Sequence, residues 1–144
     1  MIPIKLTIEG LYSYQNRQTI HFTDLIEAGL FGIFGAVGSG KSSILEAITF
    51  ALYGETERLN ARDKRTYNMM NLKSNRSYIE FDFEVGSNIY RATREFKRNS
   101  KRFDDVKTPT VIFYEWKNES WLPLEHSNSE LLLGLSYENF KRTI

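Results

Sequence analysis

Leu30-Phe31-Gly32-Ile33-Phe34-Gly35-Ala36-Val37-Gly38-Ser39-Gly40-Lys41-Ser42-Ser43 runs from an apolar segment through a glycine-rich turn into a helical pattern. Gly35, four intervening positions, Gly40, Lys41 and Ser42 complete the pattern G-x-x-x-x-G-K-[ST] of a phosphate-binding loop. The residue types follow from what a triphosphate requires. Gly38 and Gly40 let the backbone adopt conformations that a side chain forbids, so that successive N–H groups turn inward around an anion. Lys41 adds a point charge for the β- and γ-phosphates, and the Ser42 hydroxyl is the protein ligand expected for Mg²⁺. The helix predicted over 41–53 directs its positive N-terminal end to the same place. A plain glycine turn leaves both Lys41 and Ser42 unexplained.

Outward from the loop, Leu30 to Phe34 reads as a strand covered on both faces, whose C-terminal edge is where α/β sheets bind ligands. In the helix, Ile44, Leu45, Ala47, Ile48, Phe50, Ala51 and Leu52 leave little polar surface, so burial is expected. Gly54 stands where a C-terminal cap belongs. The polar segment from Glu55 to Asn75 carries Arg58, Arg62, Lys64 and Arg65 among Glu55, Glu57 and Asp63, either a solvated loop or one facing phosphate or DNA.

Upstream, Ile4, Leu6 and Ile8 alternate with polar residues as in a half-buried strand that Gly10 ends. After a loop over 11–17, Thr19 to Phe22 resumes the alternation and is expected to pair antiparallel with it, His21 lying on the surface. Downstream, residues 78–96 read as a hairpin turning at Gly86-Ser87-Asn88, in which cross-strand charge pairs account for Arg91 and Arg94. Lys97, Arg98, Lys101 and Arg102 extend the basic excess, leaving a charged hairpin end or a DNA-contacting tip. Val111-Ile112-Phe113-Tyr114-Glu115 imitates a Walker B strand, but no second acid follows, and Trp116, Lys117-Asn118-Glu119 and Trp121 fit a further hairpin better. Ser127 or Ser129 is expected to cap a short helix through Leu133, stopped by Gly134, with another element from Tyr137 to Ile144. The sum is one mixed α/β unit spanning residues 1–144.

Composition bounds the alternatives. A length of 144 residues suits one domain, and the absence of cysteine rules out disulfides and Cys-based zinc sites. Two distant histidines, His21 and His126, argue against a His-metal cluster. No signal-peptide pattern or long apolar run is present, so a cytoplasmic, membrane-free protein is expected. A formal net charge of +1 gives no global attraction to nucleic acid.

Several segments together resemble one family: Ile-Lys-Leu-Thr-Ile-Glu-Gly at the start, the Gly35–Ser43 loop, the helix ending Ala-Leu-Tyr-Gly-Glu-Thr, Asn68-Met69-Met70-Asn71, Tyr90-Arg91-Ala92-Thr93-Arg94, and Leu132-Leu133-Gly134-Leu135-Ser136-Tyr137-Glu138-Asn139-Phe140. In this order they look like the N-terminal part of SbcC, the SMC-like ATPase subunit of bacterial SbcC–SbcD nucleases. The resemblance implies a P-loop NTPase fold, the N-terminal lobe of an ABC/SMC-type head, with a mixed sheet, antiparallel hairpins and one buried helix after the loop. Such a head is completed by its own C-terminal half, dimerises with a second head on binding ATP, and governs how an SbcD-type nuclease subunit reaches double-stranded DNA ends.

Carried over onto this chain, Gly35, Ala36, Val37, Gly38, Ser39, Gly40, Lys41, Ser42 and Ser43 would wrap the phosphates of ATP, with Ser42 on Mg²⁺. Tyr12 and Ser13 would lie near the base, and Met70, Asn71 and Leu72 would approach the nucleotide again. Val37 stands where related SMC-type loops often carry Asn, which would remove one polar contact near the γ-phosphate. The glutamine expected to sense Mg²⁺, the signature motif, the Walker B acids and the switch histidine are not among these residues, so a fragment incapable of hydrolysis alone is expected. Two rivals stand beside this reading: another P-loop class such as a small-molecule kinase, and a nucleotide-free interaction lobe.

Overall fold

A computed structural model describes residues 1–22, 41–55, 70–71, 73–99, 101–102, 106 and 110–143. The strand expected over Leu30–Phe34, the loop residues Gly35–Gly40, the basic cluster from Arg58 to Arg65 and Leu72 lie outside the described residues.

Among the described residues, six strands form one sheet: β1 (Ile2–Glu9), β2 (Gln18–His21), β3 (Arg76–Val85), β4 (Asn88–Lys97), β5 (Thr110–Lys117) and β6 (Ser120–Pro123). The order is β2-β1-β3-β4-β5-β6, with every described pairing antiparallel. Among the described residues three helices accompany it: α1 (Lys41–Tyr53), α2 (Ser129–Leu133) and α3 (Tyr137–Thr143). The expected pairing of β1 with β2 is present, with Leu6 opposite Ile20, and His21 is exposed.

Strand periodicity decides the two faces of the sheet. Ile79, Phe81 and Phe83 of β3 stand opposite Arg94, Ala92 and Tyr90 of β4, and Phe113 of β5 continues the row. Leu6, Ile8, Ile79, Phe81, Phe83, Ala92, Phe96 and Phe113 are fully buried with Ala47, Phe50, Ala51 and Leu52 of α1, so the helix covers this face. Phe50 meets Phe96 edge-on at 5.8 Å, and each such ring contributes about 1.5–3 kcal/mol by burial alone. Gly54 ends the helix at φ 71°, its N–H donating to Phe50 O at 2.8 Å.

The opposite face is a ladder of charges. Arg91 grips Asp82 with Nε and Nη2 at 2.7 and 2.9 Å, and its guanidinium lies 4.1 Å from the Trp121 ring centre. Lys5 adds contacts to Glu80 and Asp82 at 3.3 and 3.7 Å. Arg91 is therefore explained by a cross-strand pair as its sequence suggests, but Arg94 is not. Arg94 stands opposite Ile79 on the apolar face and donates instead to Ala51 O (2.9 Å) and Leu52 O (3.4 Å) of α1. A cation at the negative end of a helix needs no carboxylate to hold it.

The segment from Thr110 to Lys117 pairs with β6 through a two-residue turn in which Asn118 and Glu119 adopt φ 54° and 61°. That is hairpin geometry, as expected in place of a Walker B strand. The short helix α2 is capped by Asn128, not by Ser127 or Ser129. Asn128 Oδ1 accepts from Glu130 N and Leu131 N, whereas the Ser129 hydroxyl is turned inward to Leu52 O. Gly134, at φ 68°, ends α2 as its position suggests.

Candidate functional site

Helix α1 begins at Lys41, immediately after the glycine-rich loop, with no acid in its first turn to neutralise the positive end. An anion seated there meets the helix dipole and N–H groups that have no partner within the helix, and no carboxylate of the helix's first turn competes for them. The backbone of Lys41, Ser42 and Ser43 is helical, while their side chains lie outside the described residues.

Two segments far apart in sequence come together beside this helix. Leu11 and Tyr14 exchange backbone hydrogen bonds (Leu11 N to Tyr14 O, 3.1 Å; Tyr14 N to Leu11 O, 2.8 Å), leaving Tyr12 and Ser13 at the tip of a tight turn. Tyr12 takes φ 51°, a left-handed conformation costly for a side chain, and its surroundings compensate. Its hydroxyl donates to Glu46 Oε2 at 2.6 Å, and its carbonyl accepts from Asn71 Nδ2 at 2.7 Å. Leu11 forms a backbone bridge with Met70, and Asn71 N donates to Gly10 O at 2.8 Å. Tyr12, Ser13, Met70 and Asn71 are thus gathered on one flank of α1, while Leu72 and Gly35–Gly40 lie outside the described residues.

Gly10 is the pivot of this assembly. Its φ is +69°, and a Cβ there would come within 2.2 Å of Arg76 O. Its carbonyl also accepts from the buried Ser77 hydroxyl at 2.6 Å. The same neighbourhood absorbs a residue of the basic run: Arg98, 7% exposed, donates to Ser74 O at 3.3 Å and Asn71 O at 3.4 Å, and burial pushes its guanidinium below the usual range. Of the run from Arg91 to Arg102, Arg91, Arg94 and Arg98 are held within the fold by their contacts, while Lys97, 3.8 Å from Glu95, and Lys101 and Arg102 lie at the exposed surface.

Glu46 and Gly10 are not among the residues that the sequence marks as site residues, and Arg98 is marked only as part of a charged hairpin end or DNA-contacting tip, not as a support for this turn. Glu46 carries a signal nonetheless: it is the single acid in the helix Lys41–Tyr53, and a carboxylate on a buried helix requires a donor. Neither Gly10 nor Arg98 carries a signal of this role, because what they hold is backbone brought close only by folding.

The described residues contain no group of three or more His, Cys, Asp or Glu able to hold a metal ion, and no helix long and apolar enough to cross a membrane.

Comparison with known proteins adds the family. The AAA domain family matches residues 5–133. The SbcC component of the SbcCD nuclease from Bacillus subtilis is 40% identical over 152 residues, covering 100% of this chain and 13% of that protein. Its counterpart from Clostridium acetobutylicum is 36% identical over 153 residues, with 100% and 13% covered. A probable DNA double-strand break repair Rad50 ATPase of Aquifex aeolicus is 35% identical over 149 residues, with 100% and 14% covered. The chain therefore spans 13–14% of the length of these relatives. A solved SMC head domain from Thermotoga maritima aligns with 87% of this chain and 39% of its own at a TM-score of 0.44 and 24% identity. The likeness to SbcC carried by the loop, the helix ending and the Leu-Gly-Leu-Ser-Tyr-Glu segment holds over the whole chain. The class is α/β, that of the N-terminal lobe of a P-loop NTPase.

Proposed function

This chain belongs to the AAA domain family, and from that premise we propose that it is the nucleotide-binding N-terminal part of an SbcC-type ATPase that controls a DNA-end nuclease. The observation that carries the reading is the convergence of Tyr12, Ser13, Met70 and Asn71 beside the helix that starts at Lys41. Three separate stretches assigned to one ligand are clustered by contacts that do not involve the ligand.

In this reading Gly35 to Ser43 wrap the triphosphate, Lys41 neutralises the β- and γ-phosphates, and the turn at Tyr12-Ser13 receives the base. The chemistry of the donors suits magnesium, since a serine hydroxyl is a hard oxygen ligand and the metal keeps most of its shell as water and phosphate oxygen. Ser42 would hold it, and Mg²⁺ when bound offsets charge that develops on the transferred phosphoryl group. The chain's own part is positioning and charge neutralisation, which supply most of the catalysis in phosphoryl transfer. Orientation of the attacking water is assigned to the C-terminal half of the head and to a second head engaged across ATP. An SbcD-type nuclease is the proposed partner, double-stranded DNA ends the proposed substrate, and the cytoplasm the proposed location. Lys97, Lys101 and Arg102 are the exposed cations proposed to meet the DNA backbone.

The test is ATP turnover and DNA-end degradation by the full-length protein with its nuclease subunit. Lys41→Ala should abolish turnover and the ATP-dependent part of degradation. Undiminished turnover in that variant would contradict the assignment. Nothing in the described geometry favours a small-molecule kinase or a nucleotide-free lobe.

A further inference from the structure

The hydrogen bond from the Tyr12 hydroxyl to Glu46 Oε2, 2.6 Å long, joins the tip of the 11–14 turn to the helix that begins at Lys41. It spans 34 positions of sequence and links two parts of the site that the phosphate-binding pattern alone does not connect. Glu46 is half-buried and sits five residues, less than a turn and a half, into α1. The turn is fixed at its other side by Asn71 on the Tyr12 carbonyl, so the tether to Glu46 sets how far the tip stands from the head of the helix.

We propose that Glu46 is a positioning residue for nucleoside recognition: through Tyr12 it registers the base-side turn against the phosphate helix. The inference rests on the nucleotide reading above and deepens it. A ligand that bears only phosphates engages the loop and the helix end, and does not need the turn. A nucleoside triphosphate needs both at a fixed separation, because ordering a loose turn on binding subtracts from affinity. Tyr12 holds a left-handed backbone conformation at φ 51°, and its hydroxyl is the turn's link to the helix. The consequence is selectivity, not phosphate affinity.

The experiment compares MgATP with inorganic tripolyphosphate by calorimetric titration of the chain, its folding checked by circular dichroism. Glu46→Ala should weaken ATP about 3- to 10-fold, the range of one net hydrogen bond, and leave tripolyphosphate binding as in the unaltered chain. Tyr12→Phe keeps the ring and should lose ATP affinity to the same extent, and the double variant should be no worse than either single one. Glu46→Gln retains an acceptor and should restore most of the affinity. A merely structural role would lower both ligands together or neither, and either result overturns the proposal. If Glu46→Ala keeps the ATP-to-tripolyphosphate ratio while the unaltered chain binds ATP, the tether alone fails. If the unaltered chain binds neither ligand, the nucleotide reading fails and the proposal falls with it.

Discussion

Arg94 offers a quantitative test of how the sheet grips the phosphate helix. Its guanidinium is buried, donates to Ala51 O at 2.9 Å and Leu52 O at 3.4 Å, and lies 5.5 Å from the centre of the Phe50 ring. Burial pushes it down to about 10, so it remains a cation at neutral pH. Arg94→Met keeps much of the volume and removes the donors. Leu52 O still has the Ser129 hydroxyl, so the loss falls chiefly on Ala51 O. Leaving one buried carbonyl without its charged donor costs about 1–3 kcal/mol. The desolvation already borne by the cation holds the net effect toward the lower end of that range. Arg94→Ala adds a cavity, and the total rises to about 3–5 kcal/mol. With a urea dependence of about 2 kcal/mol per molar, the unfolding midpoint should fall by about 0.5–1 M for Met and about 1.5–2.5 M for Ala. Circular dichroism at increasing urea reads both. Equal midpoints for the unaltered chain and Arg94→Met, with Ala no worse than Met, would refute the claim that these carbonyl bonds hold the helix.

Three further outcomes are expected. Gly10→Ala forces a Cβ against Arg76 O and a side chain into φ +69°, so it should lower stability by about 3 kcal/mol or prevent folding, as thermal unfolding would reveal. Asn71→Ala removes the bond to Tyr12 O and the acceptor for Lys73 N, and should cost about 1–2 kcal/mol in urea titration while loosening the turn at Tyr12. Glu95 is held below the ordinary carboxyl value of 4.5 by its hydrogen bond from Arg76, so its contribution is complete above pH 4.5 and lost as pH falls through the depressed value. Both partners are a third or more exposed, at 33% and 41%, which limits the effect to below about 1 kcal/mol. Arg76→Ala should flatten that part of the stability profile between about pH 5 and 3, measured by urea unfolding at each pH.

The legibility of this chain in its sequence is uneven for physical reasons. Helix 41–53 and its glycine stop are readable because an apolar helical pattern followed by Gly54 is a local signal for both the element and its end. The hairpins are readable because strict alternation and Asn118-type turns are local signals as well. Arg94 misleads because its neighbours in sequence are surface charges, and only the pleat puts it on the apolar face under α1. Asn128 is hidden beside two serines because capping depends on which residue is extended, here φ −109° and ψ 103°. Within the candidate site, Tyr12 and Asn71 come from resemblance, whereas the contact between them and the role of Gly10 arise from packing across 59 and 67 positions of sequence.

The most direct measurement is calorimetric titration of the folded chain with a non-hydrolysable ATP analogue and Mg²⁺, run beside Lys41→Ala. Saturable binding by the unaltered chain, lost in the variant, is the expected result. Equal binding by both, or none by the correctly folded unaltered chain, would contradict the claim that this helix end and its flanking turns form a nucleotide site.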